Sequence, residues 1–390
     1  MQYQGGNVCM KKTSLTVLCL AALGMSLVGC NGGSDKTNGK TPVIAMITDV
    51  GNIDDGSFNQ YTYEGVKQYA TEKGLGYAYY RPTEDSTTAR KNSIEQAIKA
   101  GAEIVVTPGY LFEDAIFDEQ SAHPETEFLL LDGEPHTADY KTYRTDKNVN
   151  CILYKEDEAA YPAGYAAVMN GYTSLGFEGG MAVPAVIKYG YGYVSGALDA
   201  AIEKGVSVTI KYGYAGTFNA SDEIATRCSS WYSSGTQVIF SCGGSIFQSV
   251  VQAARSNSGK VIGVDVDQYS QASDVVVTSA EKKLQKSTYQ ALDAYYKNNK
   301  AWPEERAGKT LRLGAKEEMV GLPDAATSWK LDNYKKTDYE ALFAKLENGT
   351  ITTNVTFDGK NVTFNLNSRD KSKVTLVDDG TANDNIPWKN

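Results

Sequence analysis

From Pro42 onward, short apolar runs of strand length alternate with longer segments in which hydrophobic residues recur at helical spacing. Pro42 to Thr48 reads as a strand ending at Asp49, and Ser57 to Lys73 as a helix closed by Gly74. A Tyr-rich strand near Gly76 to Tyr80, a helix from Thr87 to Lys99, the strand Ile104 to Thr107, a helix after Leu111 and the strand Phe128 to Leu131 continue the series. Cys151 to Tyr154 and the Ala-rich helix Glu156 to Asn170 carry the chain into a second run of the same kind. Its elements are Leu175 to Phe177, a helix around Val194 to Glu203, Val206 to Lys211, a helix after Ser221, Val238 to Ser241, the helix Ile246 to Arg255 and Val261 to Val264. After Val275 to Thr278, a long helix over Ala280 to Asn298 returns to the first run. Regular alternation of this kind predicts parallel sheets flanked by helices.

The two runs are copies. Gly65 and Lys73-Gly74 recur at matched spacing as Gly196 and Lys204-Gly205, and Gly101-Ala102-Glu103-Ile104 through Gly109 recurs as Gly235-Thr236-Gln237-Val238 through Gly243. Each copy then reaches an aspartate after an apolar strand, Asp132 and Asp265. The expected fold is α/β: two doubly wound parallel-sheet lobes joined by a hinge, with the loops at the carboxyl ends of their strands facing a shared cleft. From about Leu311 the pattern changes to short strand-like pieces, one helix near Asp338 to Lys345, and alternating runs at Ile351 to Phe357 and Val362 to Leu366. The expected boundaries are residues 42–152 plus 278–310 for lobe 1, 153–277 for lobe 2, and 311–390 for a β-rich C-terminal extension packed on lobe 1.

With 390 residues, 42% hydrophobic and 22% charged, the chain can bury two ordinary cores. A formal charge of −9 argues against attraction to nucleic acid or to an anionic membrane surface. The N-terminus has a different character. Lys11-Lys12 precedes an apolar run from Leu15 to Val28, shorter than the roughly 20 residues of a comfortable membrane span. Leu27-Val28-Gly29-Cys30 resembles the lipobox at which bacteria lipidate a cysteine and cleave before it. Residues 1–29 therefore read as a signal peptide with its true start at Met10, Cys30 as the lipidated first residue of the mature chain, and 30–41 as a flexible tether. The expected location is the extracytoplasmic face of the cell membrane. Cys151, Cys228 and Cys242 remain as buried thiols, with a bridge between Cys228 and Cys242 left open. His123 and His136 are the only histidines, which argues against His-based catalysis and against a His-rich metal site.

Candidate chemistry concentrates between the first strand and the first helix, in Asp49-Val50-Gly51-Asn52-Ile53-Asp54-Asp55-Gly56-Ser57-Phe58-Asn59-Gln60. Asp54, Asp55 or Ser57 can cap the helix, but capping does not call for Phe58 and Asn59, an aromatic plane beside an amide, on a first turn facing the cleft. That pair suits a flat heterocycle. Asp49, Asp132 and Asp265 each end a strand, and acids converging from separate strand ends suit hydroxyl groups better than general acid/base hydrolysis or a divalent metal. Phe218 is either a second clamp for a ring or a core contact. Gly243-Gly244-Ser245 offers backbone N–H groups at a strand-to-helix turn, and Lys282 either reaches a hydroxyl or a bound acid or is a surface lysine. No phosphate-loop or dinucleotide fingerprint is present.

Across Val43 to Ala291 the chain resembles the basic membrane protein family, nucleoside-binding lipoproteins of ABC importers. The motifs are Asp49-x-Gly51, Asp54-Asp55-x-Ser57-Phe58-Asn59-Gln60, Ala163-Gly164-Tyr165-Ala166-Ala167, Gly179-Gly180, Gly263-Val264-Asp265-Val266-Asp267-Gln268 and Thr278-Ser279-x-x-Lys282. The resemblance implies the periplasmic-binding-protein type I architecture and a base sandwiched between two aromatics. By position, Phe58 and Phe218 would form the sandwich, Asp49, Asn59 and Asp132 the polar contacts from lobe 1, and Gly243, Asp265 and Lys282 the sugar-side contacts. The expected activity is capture of nucleosides, purine nucleosides first, by a lipid-anchored monomer that uses no cofactor, performs no catalysis and delivers its ligand to ABC permease subunits. A sugar or autoinducer receptor of the same fold, a nucleoside hydrolase and a purely adhesive surface protein are the alternatives.

Overall fold

The computed structural model describes residues 34–36, 39–49, 51–358, 361–365 and 369–388. The expectations for the signal peptide, for Met10 as the start and for Cys30 lie outside the described residues. Lobe 1 is built from β1 (Ser34–Lys36), β2 (Ile44–Ile47), α1 (Phe58–Lys73), β3 (Tyr77–Tyr80), α2 (Thr87–Lys99), β4 (Ile104–Pro108), α3 (Glu113–Ala122), β5 (Glu127–Leu131) and β6 (Val149–Tyr154). The chain then crosses at Lys155 to lobe 2, made of α4 (Glu156–Met169), β7 (Ser174–Gly179), α5 (Pro184–Lys204), β8 (Val208–Tyr214), α6 (Asp222–Ser233), β9 (Val238–Cys242), α7 (Ile246–Asn257), β10 (Lys260–Asp265) and β11 (Val276–Lys282). Within each lobe the repeat is visible as one strand order, β3-β2-β4-β5-β6 in the first and β8-β7-β9-β10-β11 in the second, all parallel.

The remaining elements are α8 (Leu284–Lys297), β12 (Lys309–Leu313), β13 (Val320–Gly321), α9 (Lys336–Glu347), β14 (Val355–Phe357), β15 (Val362–Phe364) and β16 (Val374–Asp378). They correct the expected boundaries. β11 belongs to the second sheet, so the return to lobe 1 comes after Lys282 and not at residue 278. The tail does not pack on lobe 1 alone. β12 extends the first sheet beside β6, whereas β13 and β16 close the two edges of the second sheet, against β11 and β8. The physical reason is that each doubly wound sheet leaves open edges, and the tail satisfies their unpaired N–H and C=O groups one by one. The same holds for β1, three residues of the expected tether, which pair antiparallel with β3. The chain thus crosses between lobes three times, the third between β12 and β13.

Two repeat glycines serve helix packing and not turns. A Cβ at Gly65 would come 2.8 Å from the Gln285 carbonyl oxygen of α8, and a Cβ at Gly196 would overlap the Tyr161 carbonyl of α4. In each lobe the first helix is therefore bare where the helix arriving from the other lobe lies against it. Gly74 and Gly205, at φ 66° and 69°, end those first helices in the left-handed conformation that glycine adopts without steric cost. Helix α5 starts ten residues before Val194, because Pro184 opens it at the position where a missing N–H is harmless. Its face pattern is obscured by near-complete burial between α4 and the second sheet. Cys151, Cys228 and Cys242 are buried free thiols, so no bridge joins Cys228 to Cys242. Among the described residues no helix is long and apolar enough to cross a membrane.

Candidate functional site

The loop between β2 and α1 is organised by Asp55. Its Oδ1 accepts from the backbone N–H groups of Ser57 (2.8 Å) and Gln60 (3.1 Å), and its Oδ2 accepts from the N–H of Asn59 (3.0 Å). These are the donors a helix start leaves unpaired, so Asp55 supplies the cap. The Ser57 side chain is thereby free to reach across the cleft, and its hydroxyl donates to Asp265 Oδ2 of lobe 2 at 2.7 Å. The Asn59 amide is committed as well, donating from Nδ2 to Asp49 Oδ1 (2.8 Å) and Asp55 Oδ2 (3.1 Å) while its Oδ1 accepts from the Asp49 N–H (3.2 Å). Asn59 lines the cleft but is 2% exposed, and its donor hydrogens are spent on Asp49 and Asp55, so neither is left for a ligand. Burial lifts the Asp49 pKa to about 6, partly opposed by the hydrogen bonds from Gly51 and Asn59.

Asp132 and Asp265 occupy the same position in the two repeats, the residue after β5 and the last of β10. Both adopt left-handed backbone angles, φ 56° and 65°, a conformation that costs energy for residues other than glycine and is best tolerated by Asp and Asn. The turn aims both carboxylates at Lys282, which ends β11. The ammonium pairs with Asp132 Oδ2, lies 3.2 Å from Glu156 Oε1 and 3.8 Å from Asp265 Oδ1, and stands 5.0 Å from the Phe58 ring centroid. Burial by itself would favour neutral lysine, yet the three carboxylates outweigh it and hold the ammonium charged above the ordinary lysine range. Burial raises the Asp132 pKa to about 7, with Lys282 pulling the other way. Glu156 is held below the usual range because Lys188 and Lys282 together overcome the effect of its burial. Asp132 Oδ1 is buried with no hydrogen-bond partner among the described residues. An acceptor left unsatisfied in this way costs free energy until a donor arrives.

From lobe 2, the half-buried Phe218 ring rests on Gly180, where any side chain would strike it, and beside Gly243. Gly243 (φ 155°) follows β9 as Gly109 (φ 111°) follows β4, and each passes close to the aromatic ring of its own lobe. Asp49, Phe58, Asn59, Asp132, Phe218, Gly243, Asp265 and Lys282 all line one cleft between the lobes. The lobes are drawn together across it. Besides the Ser57 and Lys282 contacts, Gln271 Nε2 donates to the Gly56 carbonyl at 2.8 Å.

Glu156, Lys188, Tyr189 and Phe357 also line the cleft and escape the sequence reading. Glu156 heads a helix, where an acid ordinarily complements the helix dipole. Lys188 offered the one usable signal, a lone charge in an otherwise apolar first half of α5; it pairs with Glu156 and donates to the Tyr154 carbonyl at 2.8 Å. Away from the cleft, His123 Nε2 lies 2.8 Å from Glu95 Oε1 and 3.4 Å from Glu119 Oε2, a group with metal-compatible spacing that the sequence did not suggest. An imidazolium between two carboxylates accounts for that geometry without an ion.

Two facing α/β lobes, with a cleft between them lined by aromatic rings and buried carboxylates, form the architecture shared by two-lobed solute-binding proteins. Residues 42–354 match the Bmp family, described as ABC transporter substrate-binding protein PnrA-like, and the chain belongs to that family. It is 31% identical over 278 residues to the ABC transporter nucleoside-binding protein BmpA of Lactococcus lactis subsp. cremoris, covering 66% of this chain and 75% of that protein. It is 26% identical to Basic membrane protein B of Borreliella burgdorferi, over 77% of this chain and 87% of the other. Among solved structures, an ABC transporter system solute-binding protein from Aeropyrum pernix K1 superposes with a TM-score of 0.67 at 21% identity, covering 82% of this chain and 93% of that one. The architecture is that of periplasmic binding proteins of type I, and the family is one of substrate-binding proteins rather than enzymes.

Proposed function

We propose that this protein captures nucleosides, purine nucleosides foremost, in the interlobe cleft and delivers them to the permease of an ABC importer. The observation that carries the reading is the convergence of Phe58 and Phe218 with Asp49, Asp132, Asp265 and Lys282 on one cavity, with an unsatisfied buried acceptor at Asp132 Oδ1. Two aromatic faces from opposite lobes suit a planar base, and acceptors at the strand ends suit the hydroxyls of a sugar. Asn59 serves as a positioning residue for Asp49. The name of the lactococcal relative agrees with this assignment. Lipidation at Cys30 would keep the protein at the membrane beside its permease, a step checked by palmitate labelling of cells that produce the wild type and Cys30→Ser.

Calorimetry with adenosine, guanosine, inosine, uridine and ribose tests the reading. Nucleosides should bind, purines above uridine, and ribose alone should bind far more weakly because it forfeits the stacking. No heat with any nucleoside, or tighter binding of free ribose, overturns it. Release of free base during incubation with inosine would instead make the aspartates catalytic.

A further inference from the structure

The family match ends at residue 354, and the hairpin of β14 and β15 begins immediately after it. This hairpin is held on lobe 2. In both strands the flanking residues are half-buried and the central threonine exposed, so Val355, Phe357, Val362 and Phe364 share the face turned to α5. Its approach is pinned by Thr353, whose hydroxyl donates to Asp157 and whose carbonyl accepts from Ser195 at 2.8 Å. Phe357, beside the hairpin turn, is the tail's contribution to the cleft wall. Lys188 Nζ lies 5.2 Å from its ring centroid, and the Arg312 guanidinium of lobe 1 lies 5.9 Å from it. The ring is thus anchored to one lobe and touches the other. Beyond it is a separate depression of about 800 Å³ lined by Glu134, Arg312 and Asp358 among others. Glu134 borders both spaces, while Phe357 lines the cleft and the next residue, Asp358, lines the depression.

A run of contacts links the two rings: Phe58 meets Lys282, Lys282 meets Glu156, Glu156 meets Lys188, and Lys188 meets Phe357. With a base at the Phe58 end and sugar hydroxyls at Asp132, the part of a nucleoside farthest from its base, C5′ of the sugar, faces Phe357. We propose that Phe357 is a specificity-determining residue that sets the length of ligand the cleft accepts, admitting the free nucleoside and excluding those extended at the 5′ position. This rests on the nucleoside reading above.

The test uses neutral probes, because Lys188 and Arg312 beside the ring and the carboxylates of Asp132 and Glu156 would add charge effects of both signs to the binding of a phosphate. Affinities of the tightest-binding nucleoside and of its 5′-methylthio and 5′-butylthio derivatives are measured by calorimetry on the full chain, for wild type, Phe357→Ala and Phe357→Leu. Wild type should reject the butylthio compound by about a hundredfold relative to the parent, as a steric block does. Phe357→Ala should weaken the parent by up to about tenfold, the worth of one aromatic contact, and bring the butylthio compound to within about tenfold of it. Phe357→Leu, which keeps bulk at that position, should retain most of the rejection. Discrimination unchanged in Phe357→Ala, or butylthio binding by wild type as tight as the parent, overturns the proposal alone. Wild type that binds no nucleoside overturns the underlying reading and the proposal with it.

Discussion

The two lobes share a frame and differ at the places that meet the cleft. Both use the same strand order, end the fourth strand of the repeat at a left-handed aspartate, and bring a glycine past their own aromatic ring after the third strand. They part at the end of the first strand. Strand pairing aligns Ile44 with Leu175 through their partners Ile104 and Val238, which sets Asp49 opposite Gly180. Lobe 1 presents a carboxylate there and lobe 2 presents bare backbone covered by Phe218. The aromatics are not equivalent either, since Phe58 follows the first strand of its lobe and Phe218 the second. The repeats share their acids and differ in the loops that bring Asp49 and Phe218 to the cleft.

The largest expected effect comes from the feature both lobes share. Lys282→Met would leave Asp132, Glu156 and Asp265 buried without their common cation, and breaking a buried ion network by removing one partner costs about 3–5 kcal/mol. Urea denaturation near neutral pH should show that loss together with abolished binding. A loss under about 1 kcal/mol would mean that the two aspartates do not depend on one charge.

Next in size are the unmatched aromatics. Phe58→Ala and Phe218→Ala should each weaken nucleoside binding by about 1–3 kcal/mol, the range for stacking one base on one ring. Calorimetry on both variants decides whether the grip is two-sided. If only one substitution matters, a single lobe holds the base and the other merely covers it.

What the sequence made legible follows the same division. Repeated features could be read because each copy checked the other: Asp132 with Asp265, Gly109 with Gly243, and the alternation of strands and helices in each lobe. Phe58 was legible from local context, since capping left it unexplained. Asn59 was placed at the site, but only the coordinates show that Asp49 and Asp55 use both its donors. Glu156 and Phe357 were not legible. An acid at a helix start has an ordinary explanation, and the β14–β15 hairpin pairs only with itself, so nothing in its sequence shows that it docks on α5 beside the cleft. The tail was therefore assigned wholly to lobe 1, although two of its strands complete the other sheet.

The comparison sharpens further at Gly180. If lobe 2 must be bare there for Phe218 to lie flat, Gly180→Ala should displace the ring and weaken nucleoside binding about tenfold, near the low end of the cost of overpacking. Calorimetry again reads the outcome, and circular dichroism checks that the fold is kept. Unchanged affinity would show that Phe218 has room to move and that the missing side chain is incidental.

The smallest expected effect isolates the carboxylate that lobe 1 has and lobe 2 lacks. Burial raises the Asp49 pKa from 3.8 to about 6, so between those values the folded chain holds a proton that the unfolded chain has released. Asp49 therefore contributes stability in full below about pH 4 and loses it as the pH rises through about 6. Asp132 titrates in a nearby range, so the quantity to follow is the difference between wild type and Asp49→Asn in urea denaturation from about pH 4 to 7. That difference should shift against the wild type by about 1 kcal/mol across the window, after allowance for solvent at the cleft. Nucleoside affinity should move in the opposite sense if the ionised carboxylate accepts from the base, the wild type gaining on Asp49→Asn as pH passes about 6, with the Asp132 titration common to both. A stability difference that does not change with pH would show that Asp49 is no more desolvated than an ordinary surface acid, and the contrast with Gly180 would then concern shape alone.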